Sequence, residues 1–332
     1  MATIKDVAKK AGVALSTASY ALNNKGKVSV ETKNKVLVAA EELGYVHNGT
    51  ARNIQVTSTN TIGVFIWNVH GPIFGDMVKG MHDFIVKEKG YDFITGSIVG
   101  GTNSTACKYM SEKKVDAAIV LCSNIDDAFL QSVASEKLPI VVLDREIEHP
   151  YIHSVILDNE NGAYMAVEHM IRLGIKNIAC ISGGADSLDS SMRLQGYKRA
   201  LEKNGLSYND EMVISGWCKQ DGGYYAMKHL LEDFNDIEGV FCVTDEMAIG
   251  AMKAIQESGL SIPKDIAIVG FDDMILAKYV QPSLTTVRNP TYKWGVAAAQ
   301  TLFNIIEKQD VAPKTIIPTQ LIIRNSCGII NI

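Results

Sequence analysis

The sequence contains no apolar segment long enough to cross a membrane. Among its 332 residues there is no run of 18 consecutive apolar side chains, whereas a membrane-spanning helix needs about 20. The N-terminal residues MATIKDVAKKAG also lack the apolar core of a secretory signal peptide. These absences predict a cytoplasmic protein that does not interact with a membrane.

The sequence also has little that would hold a metal ion, a disulfide or a nucleotide. Its six cysteines form no CxxC pair, and several lie in apolar, strand-like runs, which predicts reduced and buried thiols. Its seven histidines show no spacing typical of metal ligands. The glycine turns at 96–101 and 182–185 lack the G-x-G-x-x-G spacing of a dinucleotide site, and there is no P-loop lysine. We therefore predict that the protein has no metal and no cofactor.

No set of residues predicts catalysis. Asp272 and Asp273 are adjacent carboxylates, but neighbours in sequence seldom converge on one reacting atom. Neither a nucleophile with a nearby base nor a metal set is evident, so no catalytic residue is predicted. An α/β enzyme remains an alternative, and a substrate-turnover screen would reveal it.

Composition and charge instead favour a soluble protein with a basic N-terminal part. The chain is 47% hydrophobic and 21% charged, and it is long enough for two or three domains. The first 60 residues hold eight Lys or Arg and four Asp or Glu, although the net charge of the whole chain is −5. Phosphate binding confined to the N-terminal part fits this distribution.

Residues 3–23 have the pattern of two short helices joined by a tight turn. Thr3 and Asp6 form a capping-box-like start, and Gly12 in the turn can adopt backbone angles that a Cβ would resist. A third helix is predicted from a cap at Ser29 to a stop at Gly44. The first two helices predict a helix-turn-helix whose second helix enters the DNA major groove. An ordinary αα-hairpin is the alternative.

From Thr61 onward, apolar strands alternate with amphipathic helices. The predicted strands are 62–67, 91–95, 117–121, 140–143, 154–157, 178–181, 239–243 and 267–269. The predicted helices include 76–88, 162–173, 193–204, 224–232 and 246–258. This alternation is typical of parallel sheets covered on both faces. Its length predicts two doubly wound lobes, with ligand contacts at the carboxyl ends of the strands.

Short motifs occur along the whole chain in a fixed order. In the N-terminal part they are Val7, Ala11-Gly12-Val13, Thr17 to Ser19, Leu22-Asn23, Leu43-Gly44-Tyr45 and Asn48 with Ala51-Arg52. Further on they are TDEMAIG at 244–250, PKDI at 263–266, GFDD at 270–273, PSLTTV at 282–287 and RNSC at 324–327. Together they resemble the lactose-repressor/galactose-repressor family of bacterial transcription regulators.

The resemblance implies an α/β protein with a small all-α head and two parallel-sheet lobes like those of periplasmic sugar-binding proteins. It also implies a homodimer. The implied parts are a helix-turn-helix domain at 1–46, a hinge helix and linker at 47–60, and a two-lobed body at 61–332. Lobe 1 would comprise about 61–158 plus 289–318, and lobe 2 about 159–288 plus 319–332.

The same resemblance implies which residues bind DNA. Leu15, Ser16 and Tyr20 match base-reading positions, although Tyr20 replaces a frequent arginine and should alter the preferred bases. The candidate phosphate contacts are Thr3, Thr17, Ser19, Asn23 and Ser29. In the hinge, Asn48 belongs to the motif, Ala51 resembles a minor-groove contact, and Ile54 matches an apolar wedge that kinks DNA. The alternatives are that Leu15 and Tyr20 simply pack, and that Ile54 packs between two hinge helices.

The effector contacts implied by the resemblance lie in the body. Arg193 and Asp272 match positions that grip a ligand's hydroxyls or carboxylates, one from each side of the cleft. The further candidates are Asp144, Thr244, Trp67 and Trp217. Each tryptophan could instead be a core residue.

These features predict a repressor of carbohydrate-utilisation genes that binds a palindromic operator. A sugar or sugar phosphate between the lobes would control it by binding two states unequally. A sugar-binding transport protein is the alternative from another class, but it would need a signal peptide and no basic head.

Overall fold

The computed structural model describes residues 3–22, 28–43, 58–66, 72–98, 101, 104–121, 124–184 and 187–328. The chain forms two compact units, Met1–Ser58 and Thr59–Ile332. Each unit is described separately below.

The N-terminal unit is built from three helices around a small core. They are α1 (Ile4–Lys10), α2 (Leu15–Leu22) and α3 (Val30–Glu42). The predicted capping box is confirmed, because the Thr3 side chain accepts the Asp6 backbone N–H and the Asp6 carboxylate accepts the Thr3 N–H. The turn contains Gly12 at a positive φ of 67°. Ser29 caps α3 by accepting the Thr32 N–H, whereas the predicted stop at Gly44 lies outside the described residues.

Small residues allow these helices to pack closely. The core contains the buried residues Val7, Ala8, Ala18, Ala21, Val36, Ala39 and Ala40. Alanines dominate this set, so the helix backbones approach each other with little side-chain volume between them. This packing fixes which face of α2 is left on the surface.

The second unit contains twelve strands and eight α-helices among its described residues. The strands are β1 (Thr61–Ile66), β2 (Asp92–Ser97), β3 (Ala117–Leu121), β4 (Ile140–Val142), β5 (Ile152–Leu157), β6 (Ile178–Ser182), β7 (Val213–Ser215), β8 (Gly239–Cys242), β9 (Ala267–Asp272), β10 (Thr285–Arg288), β11 (Lys314–Ile317) and β12 (Gln320–Ile322). The helices are α4 (Pro72–His82), α5 (Thr105–Ser111), α6 (Asp127–Val133), α7 (Asn159–Arg172), α8 (Leu188–Lys203), α9 (Gln220–Asp233), α10 (Asp245–Glu257) and α11 (Thr291–Ile306).

The strands form two six-stranded sheets, as expected for two doubly wound lobes. The first sheet has the order β11-β5-β4-β3-β1-β2 and is parallel throughout. The second has the order β12-β10-β9-β8-β6-β7 and is parallel except for β12, which runs antiparallel to β10. The chain therefore passes between the sheets after β5, after β10 and after β11. Below, the first and second lobes are these sheets with the helices packed on them.

Burial explains why the strands read as continuous apolar runs. In β1, Ile62, Val64 and Ile66 enter one core cluster, whereas Phe65 enters the cluster on the opposite face of the sheet. Both faces are thus covered, so a strand has no solvent side that would favour polar residues. The cysteines follow the same rule, because Cys107, Cys180, Cys242 and Cys327 are buried free thiols and Cys218 is half-buried; Cys122 lies outside the described residues.

Some predicted boundaries differ from the structure, and several elements are not evident from the sequence. The predicted helix 76–88 is α4 followed by a π-helical turn, Asp83–Glu88. Helix α8 begins five residues before its predicted start, since Ser187 caps it by accepting the Ser190 N–H. The unpredicted elements are α5, α6, α11, β7, β10, β11 and β12. Three of these strands have three or four residues that are partly exposed, so they do not stand out as apolar runs.

Candidate functional site

Helix α2 presents the predicted base-reading residues on its outer face. Ala18 and Ala21 are buried, whereas Leu15 is 45% and Tyr20 53% exposed. Ser16 is also exposed. The alternative that Leu15 and Tyr20 pack in the core is therefore wrong for the folded head. This face is free within the head to contact a ligand as large as a DNA duplex.

The candidate phosphate contacts differ in how freely they could donate a hydrogen bond. Thr17 and Ser19 are half-buried, and Ser29 is exposed. The Thr3 hydroxyl donates to the Asp6 carboxylate at 2.7 Å, so its hydrogen is not available to a phosphate in this conformation. Asn23, Asn48, Ala51 and Ile54 lie outside the described residues.

A cavity of about 170 Å³ lies between the carboxyl ends of the two sheets of the body. Its walls are partly apolar and partly polar. The lining residues are Phe74, Leu121, Leu157, Ser187, Asp189, Ser190, Arg193, Cys218, Val243, Thr244, Asp272, Asn289 and Trp294. The cavity occupies the place where open α/β sheets bind ligands, and it is the candidate functional site of the body.

Arg193 and Asp272 form a buried ion pair at the base of this cavity. Arg193 Nη1 donates to Asp272 Oδ1 at 3.1 Å and to the Val243 carbonyl at 2.7 Å. Its Nε donates to Asn159 Oδ1 at 2.9 Å. The guanidinium carbon lies 3.8 Å from the centre of the Phe271 ring. Stacking and three hydrogen bonds therefore hold the guanidinium in one orientation.

The expectation that Arg193 and Asp272 face each other from opposite sides of the cleft is wrong. Arg193 lies on α8 and Asp272 ends β9, and both elements belong to the second lobe. Sequence separation conceals this arrangement, because the crossover connections bring the ends of distant strands to one sheet edge. A ligand would meet the two residues as one preformed pair.

Asp272 has an unusual environment for a carboxylate. Burial raises its pKa to about 6, although the neighbouring Arg193 guanidinium acts in the opposite direction. Asn289 Nδ2 donates to the same Oδ1 atom at 2.9 Å, and Oδ2 accepts no hydrogen bond from any described residue. The φ of Asp272 is 117°, which is uncommon for a residue with a side chain.

The adjacent Asp273 turns away from this pair. Its two oxygens accept hydrogen bonds from Arg288 Nε at 2.6 Å and from Arg324 Nη2 at 2.5 Å. The sharp backbone turn, with a φ of 55° at Asp273, separates the two carboxylates. They therefore do not act on a common atom.

The other predicted effector contacts have different positions. Thr244 lines the cavity, and its Oγ1 accepts the Met247 N–H at the start of α10. Asp144 does not line it and pairs with Arg145 Nη1 at 3.0 Å. Trp217 does not line it either and is 66% exposed, so it is not a core residue. Trp67 lies outside the described residues.

A strained turn explains why Trp217 is displaced from the cavity. Trp217 and Cys218 both have a φ of 55°, and the indole lies against Gly184. Two successive left-handed residues reverse the chain direction between β7 and α9. As a result Cys218, rather than its neighbour, contributes to the cavity wall.

Some lining residues are not predicted from the sequence. Asn289 follows β10, and Asp189 precedes Arg193 by one helical turn at the start of α8. Trp294 on α11 is buried, with Nε1 donating to the Val155 carbonyl at 2.7 Å. Of these three residues, only Asp189 could have been predicted to line the cavity. It lies four residues before Arg193, and residues i and i+4 share a helix face.

No group of three or more His, Cys, Asp or Glu among the described residues is arranged to hold a metal ion. No described helix is both long and apolar enough to span a membrane.

Comparisons with known proteins match the head and the body to known protein families. Residues 3–48 match the family described as bacterial regulatory proteins, lacI family, and residues 167–327 match a periplasmic binding protein-like domain. The chain is 33% identical to the HTH-type transcriptional repressor PurR of Aliivibrio fischeri, covering 93% of each chain. It is 34% identical to the probable HTH-type transcriptional repressor ExuR of Bacillus subtilis, covering 98% of each.

Solved structures show the same architecture. The transcriptional regulator CelR in complex with cellobiose has a TM-score of 0.74 and 29% identity, over 98% of this chain and all of that one. The lac repressor dimer bound to operator and the anti-inducer ONPF has a TM-score of 0.72 and 27% identity, over 98% and 99% of the two chains. This chain therefore belongs to the lacI family of bacterial regulatory proteins and is a transcriptional regulator, not an enzyme.

Proposed function

We propose that this regulator represses carbohydrate-utilisation genes and that a sugar or sugar phosphate bound in the cleft controls it. The cavity lined by Arg193, Asp272 and Asn289 on one side and by Phe74 and Trp294 on the other carries this proposal. A sugar has hydroxyls around its edge and an apolar face. A site that combines fixed polar groups with aromatic side chains suits both.

Similar proteins support this class of effector. One solved relative is a complex with cellobiose. A sugar-binding regulator from Escherichia coli was solved with phosphate, and a regulator from Enterococcus faecium with bound ribose. Within the cleft, we propose effector contacts from Arg193, Asp272 and Thr244. Trp217 and Asp144 would contact an effector only if the loops that carry them moved.

We propose that the head binds a palindromic operator through α2. Leu15, Ser16 and Tyr20 would contact bases, and Thr17, Ser19 and Ser29 would contact phosphates. Lys5 and Lys9 are exposed and form no ion pair among the described residues, so they could add phosphate contacts. In the hinge, Asn48, Ala51 and Ile54 would act in the minor groove. In the head, Asn23 would contact a phosphate.

A palindromic site requires two heads, and we propose that the chain is a homodimer. The lac repressor relative is a dimer on its operator. Four large apolar side chains of the second lobe, Tyr225, Ile275, Leu276 and Tyr279, are between 50% and 72% exposed. Exposed apolar surface of this kind is costly in water, so we propose that a second copy of the chain buries it in the dimer interface.

The proposed organisation is a head at 1–46, a hinge and linker at 47–60 and a body at 61–332, in a cytoplasmic protein. Lobe 1 would be about 61–158 plus 289–318, and lobe 2 about 159–288 plus 319–332. An effector that binds two arrangements of the lobes unequally would shift their populations. The same free energy would then change the affinity for the operator.

A selection from random duplex DNA with the full-length protein tests the proposal. The enriched sequences should form an inverted repeat, as expected for two symmetric heads. Fluorescence anisotropy on the enriched duplex would then measure affinity with and without each sugar that raises the melting temperature. At least one such sugar should change the operator affinity.

A variant lacking residues 1–57 serves as the control. It should lose operator binding but keep the thermal shift with the same sugar, because the head and the body are separate compact units. Specific DNA binding by this variant would contradict the role of the head. A full-length protein that is strictly monomeric and enriches no symmetric site would contradict the proposal as a whole.

A further inference from the structure

Several helices of the second lobe begin at the edge of the cleft. Thr244 at the cap of α10 and Ser187 at the cap of α8 both line the cavity. The N-terminus of a helix attracts anions, since its first N–H groups point outward and its dipole is positive there. Helix starts at a cleft favour an anion such as the phosphate group of a sugar phosphate.

In this chain, however, the helix starts already carry carboxylates. Asp189 lies in the first turn of α8, and Asp245 and Glu246 lie in the first turn of α10. Helix α7, whose first residue Asn159 contacts Arg193, has Glu160 in its first turn. These carboxylates already place negative charge at the helix N-termini, where a bound phosphate would otherwise interact with the helix dipoles.

Asp189 is the member of this set that lines the cavity. Its Oδ1 accepts Asn159 Nδ2 at 2.8 Å, and Asn159 Oδ1 in turn accepts Arg193 Nε at 2.9 Å. A continuous chain of hydrogen bonds thus connects Asp189 with the Arg193–Asp272 pair. Its second oxygen, Oδ2, accepts no hydrogen bond from a described residue.

Among the described residues, the charges that line the cavity are one cation and two anions. The cation, Arg193, is already engaged by Asp272, by the Val243 carbonyl and by Asn159. The carboxylates of Asp189 and Asp272 are close enough for Asp189 to contribute to the raised pKa of Asp272. A phosphate group would add one or two negative charges beside these carboxylates, and no further Lys or Arg stands among the described lining residues to balance them.

The unpaired hydrogen-bonding atoms of the cavity point to the same conclusion. Asn289 is 5% exposed, and its Oδ1 is buried without a hydrogen-bond partner. Its orientation is fixed, since Nδ2 donates to Asp272. Asp272 Oδ2 and Asp189 Oδ2 accept no hydrogen bond from a described residue, so both can accept one from a ligand. The lining hydroxyls of Ser187, Ser190 and Thr244 accept backbone N–H groups and keep their own hydrogens for a ligand. A sugar hydroxyl can donate to the carboxylates and accept from the hydroxyls, whereas a phosphate dianion has no hydrogen to donate to the carboxylates.

We infer that the cleft selects an uncharged, polyhydroxylated ligand and that Asp189 excludes phosphorylated sugars from it. This inference rests on the proposed sugar-class effector and narrows it to sugars without an anionic group. Hydroxyls of the sugar donate to Asp189 Oδ2 and Asp272 Oδ2. Asp189 is thus a specificity-determining residue of the effector site.

Matched pairs of probes test this inference with the full-length protein. The pairs are glucose and glucose 6-phosphate, ribose and ribose 5-phosphate, and cellobiose and cellobiose 6-phosphate, together with inorganic phosphate alone. Thermal shift identifies the pair that binds, and calorimetry measures both dissociation constants. The neutral sugar should bind at least about tenfold more tightly than its phosphate ester, and inorganic phosphate should not bind.

The variants Asp189→Asn and Asp189→Ser remove the charge at the cavity. Each should reduce the preference for the neutral sugar by about tenfold or more, mainly because the phosphate ester binds better. Asp221→Asn is the matched control, since Asp221 lies in the first turn of α9, is exposed and does not line the cavity. It should leave the preference unchanged. Melting temperatures without ligand establish that each variant is folded.

Different results identify which statement fails. If a phosphate ester binds as tightly as its neutral partner, or if both Asp189 variants keep the original preference, the inference is overturned while a sugar-class effector stands. If a cationic probe, glucosamine, binds more tightly than glucose, the neutral class is likewise wrong. If no sugar of any pair binds, the proposed effector class itself fails, and this inference fails with it.

Discussion

Effector binding should weaken as the pH falls, because protonation of Asp272 removes a hydrogen-bond acceptor from the cleft. The pKa of this carboxyl is raised to about 6, chiefly by burial and against the effect of Arg193. At pH 7 the group is mostly ionised, and its Oδ2 can accept a sugar hydroxyl. At pH 5 it is mostly protonated, and the acceptor becomes a competing donor.

The size of the effect follows from the fraction of protein in the ionised form. With a pKa of about 6, this fraction falls from roughly 0.9 at pH 7 to roughly 0.1 at pH 5. If the ligand binds only the ionised form, the apparent dissociation constant is divided by that fraction. The dissociation constant should therefore rise about tenfold, or ~1.4 kcal/mol, between pH 7 and pH 5.

Unfolding should not be the cause of this loss. Because the folded-state pKa of Asp272 lies above the ordinary aspartate value of 3.8, the folded state binds the proton more tightly than the unfolded chain does. The stabilisation from this group is complete below about pH 4 and is lost as the pH rises through about 6. Acidification to pH 5 therefore increases the contribution of Asp272 to the free energy of unfolding.

Calorimetry at pH 7, 6 and 5, with the sugar that gives the largest thermal shift, measures the effect. Asp272→Asn is the control: it should bind more weakly at every pH, with a nearly flat profile. If the wild-type dissociation constant changes by less than about twofold while the protein stays folded, Asp272 does not accept a hydrogen bond from the ligand, and the reasoning is refuted.

Three further predictions concern stability, the linker at Thr59 and Asn60, and DNA recognition. Tyr197→Phe should lower the free energy of unfolding by about 1–2 kcal/mol in urea denaturation, since the buried phenol donates to the Ile178 carbonyl at 2.7 Å; no loss would mean that the carbonyl finds another donor. Asp116→Ala should speed amide hydrogen exchange at Thr59 and Asn60, whose N–H groups its carboxylate accepts, without changing sugar affinity. Tyr20→Ala should alter base preference at particular operator positions; a uniform loss of affinity in competition assays would make it a scaffold residue.

Sequence patterns were sufficient where local physics decides the structure. The capping box at Thr3 and Asp6 depends on two residues three apart, so it is visible in the sequence. The buried parallel strands are visible for a similar reason, because coverage on both faces leaves them apolar throughout. Short strands such as β7 and β12 are half-exposed and gave no such signal.

The arrangement of the cleft depends on contacts between distant segments. Arg193 and Asp272 are 79 residues apart, and only the sheet order shows that they pair within one lobe. Trp217 was a reasonable contact by position, but a left-handed turn directs Cys218 to the cavity in its place. Asn289 follows a strand that the sequence did not indicate.

The sequence alone therefore determined the family, the separation into a head and a two-lobed body, and the identity of several polar residues at strand ends. Periodicity and capping are local properties of a chain, and the order of motifs can be read directly along it. Only the tertiary structure decided that Asp189, Arg193, Asp272 and Asn289 form one connected polar wall with unpaired acceptors. Charge balance and hydrogen-bond availability depend on distances in space, which the order of residues along the chain does not specify.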